Sequence, residues 1–125
     1  MSGNPIKILI VDDDPDIRLL LDFNLSSVGY EVLEATNGAE ALDIIKEHTV
    51  NLVITDLTMP VMDGYELIRT LKESPETSKI PVLMLTAREE ERVSRKGMAD
   101  QPDDYLPKPF ATADIQEKIA KLLSA

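Results

Sequence analysis

Short, unbroken aliphatic runs alternate along the chain with longer stretches in which apolar positions recur every three or four residues. "IKILIV" (6–11), "VNLVIT" (50–55) and "KIPVLMLTA" (79–87) read as strands covered on both faces of a parallel sheet. "YEVLEA" (30–35) and "DYLPKPF" (104–110) supply two more. Asp14-Pro15-Asp16 opens a first helix, with Asp14 as N-cap and proline in the first turn. Ile17, Leu20, Leu21, Leu25 and Val28 are predicted on its inner face, and Gly29 at its end. A second helix spans "NGAEALDIIKEH" (37–48), with Ala41, Leu42 and Ile45 inward. After the loop "LTMPVMDG", Asp63 and Gly64 turn the chain into a third, with Tyr65, Ile68 and Leu71 as core contacts. A last helix (112–123) places Ile115, Ile119 and Leu122 on one face. The stretch from Arg88 to Asp100 offers mainly Val93 and Met98 to a core. Gly97 weakens a helix there by roughly 1 kcal/mol relative to alanine, so a short or mobile fourth helix is expected.

Five βα units in succession imply an α/β protein: a parallel sheet with helices on both faces, joined by right-handed crossovers. The 125 residues suit one domain with one core, and residues 1–125 are read as a single unit with no output domain in the chain. No apolar run approaches the roughly 18 residues of a membrane span, and "MSGNPIK" lacks the apolar core of a secretory signal. Cysteine is absent, which removes disulfides and thiolate metal sites and fits a cytoplasmic location. A net charge of −10 argues against direct contact with nucleic acid or with an anionic membrane.

The strand ends bear the chemistry. Ligands of open parallel sheets bind beyond the carboxyl ends of the strands, near the point where strand order reverses. The first strand ends at Asp12 and Asp13, the third at Asp56, the fourth at Thr86 and the fifth at Lys108. A hydrophobic core explains none of them. Like charges this close repel, so a cation is the natural offset, and hard carboxylate oxygens favour Mg²⁺, with Mn²⁺ as a substitute. Asp56, alone on a central strand, is the candidate nucleophile toward a phosphoryl group. Mg²⁺ and Lys108 would supply positive charge there, and the Thr86 hydroxyl a hydrogen bond.

With "VDDDP", "ITDLTMPVMDG", "VLMLTA" and "DYLPKPF" in order, the sequence resembles the receiver domains of two-component response regulators over essentially its whole length. The resemblance implies a flavodoxin-like (βα)5 fold with strand order 2-1-3-4-5. It implies phosphorylation of Asp56 by a histidine kinase or phosphotransfer protein. Mg²⁺ would be held by Asp12, Asp13, Asp56 and the backbone carbonyl of Thr58. Lys108 would pair with the phosphoryl group, and Lys108-Pro109 is a cis-peptide candidate. Thr86 would move toward the phosphoryl oxygen and Tyr105 would swing inward behind it. The surface that changes would be the fourth helix, the fifth strand and the last helix, facing a downstream protein target. Side chains at Thr58 and Arg88 would tune hydrolysis, and the chain would be a monomer or a weak phosphorylation-dependent dimer. It would be a signalling domain rather than an enzyme. One departure stands out: Gln101-Pro102 replaces the small Gly-Ala pair usual before the fifth strand.

Two rival readings remain. Asp12-x-Asp14 superficially matches the nucleophile motif of haloacid dehalogenase-type phosphohydrolases, although Asp56 would then lack a purpose. A receiver acting as a phosphate-independent binding module is the other, with all five site residues weighing against it. His48, in the last turn of the second helix, lacks the helical-bundle context of a phosphohistidine. Asp12-x-Asp14-x-Asp16 fails as an EF-hand, having Ile17 where that loop needs glycine and Phe23 where it needs glutamate.

Overall fold

The computed structural model describes residues 5–86 and 101–124. Five parallel strands form one sheet in the order β2-β1-β3-β4-β5: β1 (Lys7–Val11), β2 (Glu31–Ala35), β3 (Leu52–Asp56), β4 (Val82–Thr86) and β5 (Asp104–Pro107). Four helices are described, α1 (Pro15–Ser26), α2 (Gly38–Glu47), α3 (Gly64–Glu73) and α4 (Thr112–Ser124). The (βα)5 expectation is therefore met in its strands and strand order, but with four described helices. The helix expected between Arg88 and Asp100, with Val93, Gly97 and Met98, lies outside the described residues.

Alternation along the strands divides the core into two layers. Leu9, Val11, Val53, Val82 and Met84 pack with Ala41 of α2 and with Tyr65, Leu67, Ile68 and Leu71 of α3. Ile8, Ile10, Leu52, Ile54, Leu83, Leu85 and Leu106 pack on the other face with Leu21 and Leu25 of α1 and Ile115 and Ile119 of α4. Both faces of the inner strands are thus covered, which is why those strands read as unbroken aliphatic runs.

The inner face of α1 is narrower than its sequence suggests. Leu21 and Leu25 are buried, but Leu20 is 45% and Val28 51% exposed, and α1 ends at Ser26, before Gly29. Gly29 takes φ +99°, the left-handed conformation that glycine tolerates without penalty. His48 caps the C-terminus of α2 in an extended conformation rather than lying in its last turn. Among the described residues, no helix is long and apolar enough to cross a membrane.

The loop from β3 to α3 holds a strained turn. Val61 has φ +71°, and the Met62 N–H donates to the Pro60 carbonyl across it at 2.7 Å, closing a γ-turn. A β-branched residue pays for this conformation, and Val61 is 81% exposed, so packing offers little in return. Val61→Asn is expected to raise stability by about 1 kcal/mol, read as a higher urea midpoint at unchanged slope. An unchanged or lower midpoint would mean that the valine side chain contributes more than the backbone costs.

Candidate functional site

Parallel register brings the strand ends to one rim. Val11 pairs with Thr55, and Asp56 pairs with Leu85, so Asp12, Asp13, Asp56 and Thr86 emerge at one edge of the sheet. Thr86 pairs with Pro107, which sets Lys108 just beyond β5 at the same edge. Asp12, Asp13 and Asp56 each present a carboxylate oxygen within 4.8 Å of the others. Asp12 is 1% exposed, Asp56 is half-buried and Asp13 faces solvent. Lys108 Nζ bridges two of them, 3.2 Å from Asp56 Oδ1 and 3.4 Å from Asp12 Oδ2. The Lys108-Pro109 peptide bond is cis.

The electrostatics follow from burial and like charge. Loss of water around Asp12 raises its carboxyl pKa, and Asp56 adds repulsion; the Asp14 amide and Lys108 oppose this without cancelling it. Burial works to lower the Lys108 pKa, but the carboxylates of Asp56 and Asp12 outweigh it, and the ammonium is held above its ordinary value. One lysine thus answers two acids, and the third is left to solvent. Hard oxygen ligands in this number, with net negative charge, fit a Mg²⁺-class cation.

The surroundings fix these groups in place. The Asp14 N–H donates to Asp12 Oδ1 at 2.9 Å, orienting the buried carboxylate. Asp14's own carboxylate accepts from the Asp16 N–H at 2.9 Å and caps α1, the role its place before Pro15 predicts. Thr55 Oγ1 donates to the Asp56 carbonyl. Asp63 and Glu66 form a capping box at the start of α3. Gly64 lies so close to β3 that a Cβ would fall 2.5 Å from the Asp56 carbonyl oxygen.

Thr58 is exposed in the loop after β3. Arg88 lies outside the described residues, and only the strand position of Thr86 is described. Tyr105, on β5, hydrogen-bonds to Tyr65 and Gln101. The sequence reading missed Arg18, whose Nη1 donates to the Asp12 carbonyl at 2.7 Å while Nε meets Glu34 at 3.1 Å. A cation one turn into the helix that follows the acidic pair was the available signal.

A carboxylate-rich rim at the switch point of a 2-1-3-4-5 parallel sheet marks a flavodoxin-like domain with an acidic cluster that could hold a cation. The chain belongs to the response regulator receiver domain family, whose model matches residues 8–120. It is 38% identical over 117 residues to the phosphate regulon transcriptional regulatory protein PhoB of Rhizobium meliloti, covering 94% of this chain and 52% of that protein. The chain spans about half the length of the curated relatives it matches. Its fold is similar to chemotaxis protein CheY4 of Vibrio cholerae, at 31% identity and TM-score 0.89, covering 96% of this chain and 100% of that one. It is also similar to response regulator TrrA of Thermotoga maritima, solved in complex with Mg²⁺ and BeF, at 33% identity and TM-score 0.82, covering 94% and 99%. The protein is thus a receiver domain of two-component signalling, a class whose members interact with histidine kinases and downstream effectors.

Proposed function

We propose that this receiver is a Mg²⁺-dependent phosphoacceptor and that Asp56 takes the phosphoryl group. The observation that supports this most is the meeting of three carboxylates within 4.8 Å with Lys108 Nζ 3.2 Å from Asp56. An Asp56 carboxylate oxygen attacks the phosphorus of a phosphohistidine on a histidine kinase or phosphotransfer protein. The new O–P bond makes an acyl phosphate, the P–N bond breaks, and the imidazole leaves with its electron pair and takes a proton. Asp12, Asp13, Asp56 and the Thr58 carbonyl would hold Mg²⁺, which when bound neutralises the carboxylates and the incoming phosphoryl oxygens.

Lys108 leaves Asp12 for the phosphoryl oxygens, and the Thr86 hydroxyl hydrogen-bonds to the same group. Side chains at Thr58 and Arg88 would tune the rate of acyl-phosphate hydrolysis. Tyr105 then reports the event to a protein-binding face formed by the segment 88–100, β5 and α4. Residues 1–125 act as one receiver unit, as a monomer or a weak phosphorylation-dependent dimer, at a cytoplasmic location. PhoB is named a transcriptional regulator and is about twice as long as the part matched here, so action on transcription belongs to this reading only where a further domain is attached. The chain itself, at net charge −10, is a poor ligand for a polyanion.

The test is brief incubation with acetyl phosphate followed by phosphate-affinity electrophoresis, with and without Mg²⁺, beside Asp56→Ala. A retarded band that needs both Mg²⁺ and Asp56 is the expected result. A band that persists in Asp56→Ala would move the acceptor elsewhere. No band, together with no protection by beryllofluoride and Mg²⁺ in thermal melts, would favour phosphate-independent partner binding instead.

A further inference from the structure

Tyr105 is the second residue of β5, paired with Met84 of β4. Its ring packs against the core layer beneath α2 and α3. Its hydroxyl lies 3.2 Å from that of Tyr65, the second residue of α3 and only 7% exposed. The same hydroxyl donates to Gln101 Oε1 at 2.7 Å. A phenol has one proton to give, so toward Tyr65 the Tyr105 oxygen accepts. The result is a directional relay from Tyr65 through Tyr105 to Gln101, joining α3, β5 and the segment before β5.

Gln101 stands where the family resemblance calls for a small residue, which could accept no such bond with its side chain. Its Nε2 is buried and has no hydrogen-bond partner among the described residues. Burying an amide with its donor half unanswered is unfavourable. The acceptor bond from Tyr105 is what this side chain gains in that position.

We propose that Gln101 is a positioning residue that holds Tyr105 inward before any phosphoryl group arrives, presetting the β5 edge toward its phosphorylated arrangement. The word phosphorylated rests on the function proposed above; the placement of the ring does not. One neutral hydrogen bond shifts a two-state equilibrium by roughly fivefold. The unanswered Nε2 offsets part of that, so the contact tips the equilibrium rather than locking it. Binding by a partner at this edge would then retain much of its strength without phosphate.

The test follows ring-to-ring contacts by NMR in protein with labelled tyrosine rings and no phosphoryl analogue present. A Tyr65–Tyr105 contact is expected in the wild type and in Gln101→Glu, which keeps an acceptor. In Gln101→Leu the ratio of inward to outward conformers is expected to fall, by up to about fivefold. A merely space-filling role would spare the leucine variant or harm both alike, and either result overturns the proposal. Should Gln101→Leu fail to fold, Tyr105→Phe removes the same bond at nearly constant shape; an undiminished ring contact there overturns it too. Beryllofluoride with Mg²⁺ should then move the wild-type Tyr105 ring signals far less than those of Gln101→Leu, and equal movement overturns the presetting. If the Asp56 amide fails to respond in both proteins, the phosphoacceptor reading falls, while the ring contact still decides the role of Gln101.

Discussion

Gly64→Ala is expected to destabilise the protein by roughly 3 kcal/mol and to lower its melting temperature by about 10 °C. The added methyl would lie 2.5 Å from the Asp56 carbonyl oxygen, 2.9 Å from Met84 Cε and 3.2 Å from Leu57 Cα. The methionine tip can move, but the two backbone atoms cannot yield without shifting β3 or the start of α3. Both are tied down: the Gly64 N–H donates to the Leu57 carbonyl at 2.9 Å, and the capping box closes the first turn. Alanine's better helix propensity, worth about 1 kcal/mol in a helix interior, is smaller than the overlap and weaker still at a first turn. The displaced backbone carries Asp56, so phosphorylation should fall with stability. Gly38→Ala is the comparison: the three atoms nearest its methyl, at 2.7–3.0 Å, all belong to the Met62 side chain, and it should cost about 1 kcal/mol. Chemical denaturation of both variants checks the ranking. Equal, small losses would show that β3 yields more readily than its hydrogen bonds suggest.

That glycine marks the boundary of what the sequence makes legible. The inner strands were readable because burial on both faces removes polar residues locally, within a run of five or six positions. The site was readable for a related reason: Asp12, Asp13 and Asp56 break off such runs abruptly, and parallel topology sends every strand end to one rim. The role of Gly64 was read as a turn, because nothing local shows that Asp56's carbonyl returns to touch it. The inner face of α1 was drawn too wide for another physical reason. A helix laid on a sheet buries only a narrow stripe, and the chain places Asn24, 8% exposed, within that stripe while Leu19 and Phe23 stay at 69% and 72% exposure. Hydropathy alone cannot order those residues. The relay of Tyr65, Tyr105 and Gln101 spans forty residues of sequence and rests on side-chain reach, so each member is noticeable alone, as core contact, switch residue and departure, but their connection is not.

Asp12→Asn is expected to stabilise the metal-free protein at neutral pH while lowering Mg²⁺ affinity by on the order of 100-fold or more. Asp12's pKa is raised in the fold, chiefly by burial and then by repulsion from Asp56. The folded state therefore holds this proton more tightly than the unfolded chain does. Its contribution favours folding below the ordinary carboxylate pKa and is lost as pH rises through the folded value, above which Asp12 is ionised and poorly solvated. Lys108 does not supply this dependence: its own raised pKa gives stability that is fully present below its ordinary value near 10.5 and is lost only at higher pH. Asparagine keeps an Oδ1 to accept the Asp14 N–H, bound at 2.9 Å in the wild type, and frees Lys108 to serve Asp56 alone. A gain of about 1 kcal/mol in chelator at neutral pH should result, shrinking as the pH falls and wild-type Asp12 becomes protonated. With millimolar Mg²⁺ the order should reverse, because only the wild type still gains from the cation by mass action. Thermal melts in chelator and in Mg²⁺, at neutral and acidic pH, measure both halves. If Asp12→Asn is less stable in chelator at neutral pH, attraction to Lys108 outweighs burial and repulsion. If Mg²⁺ stabilises both proteins equally, the cation is held elsewhere.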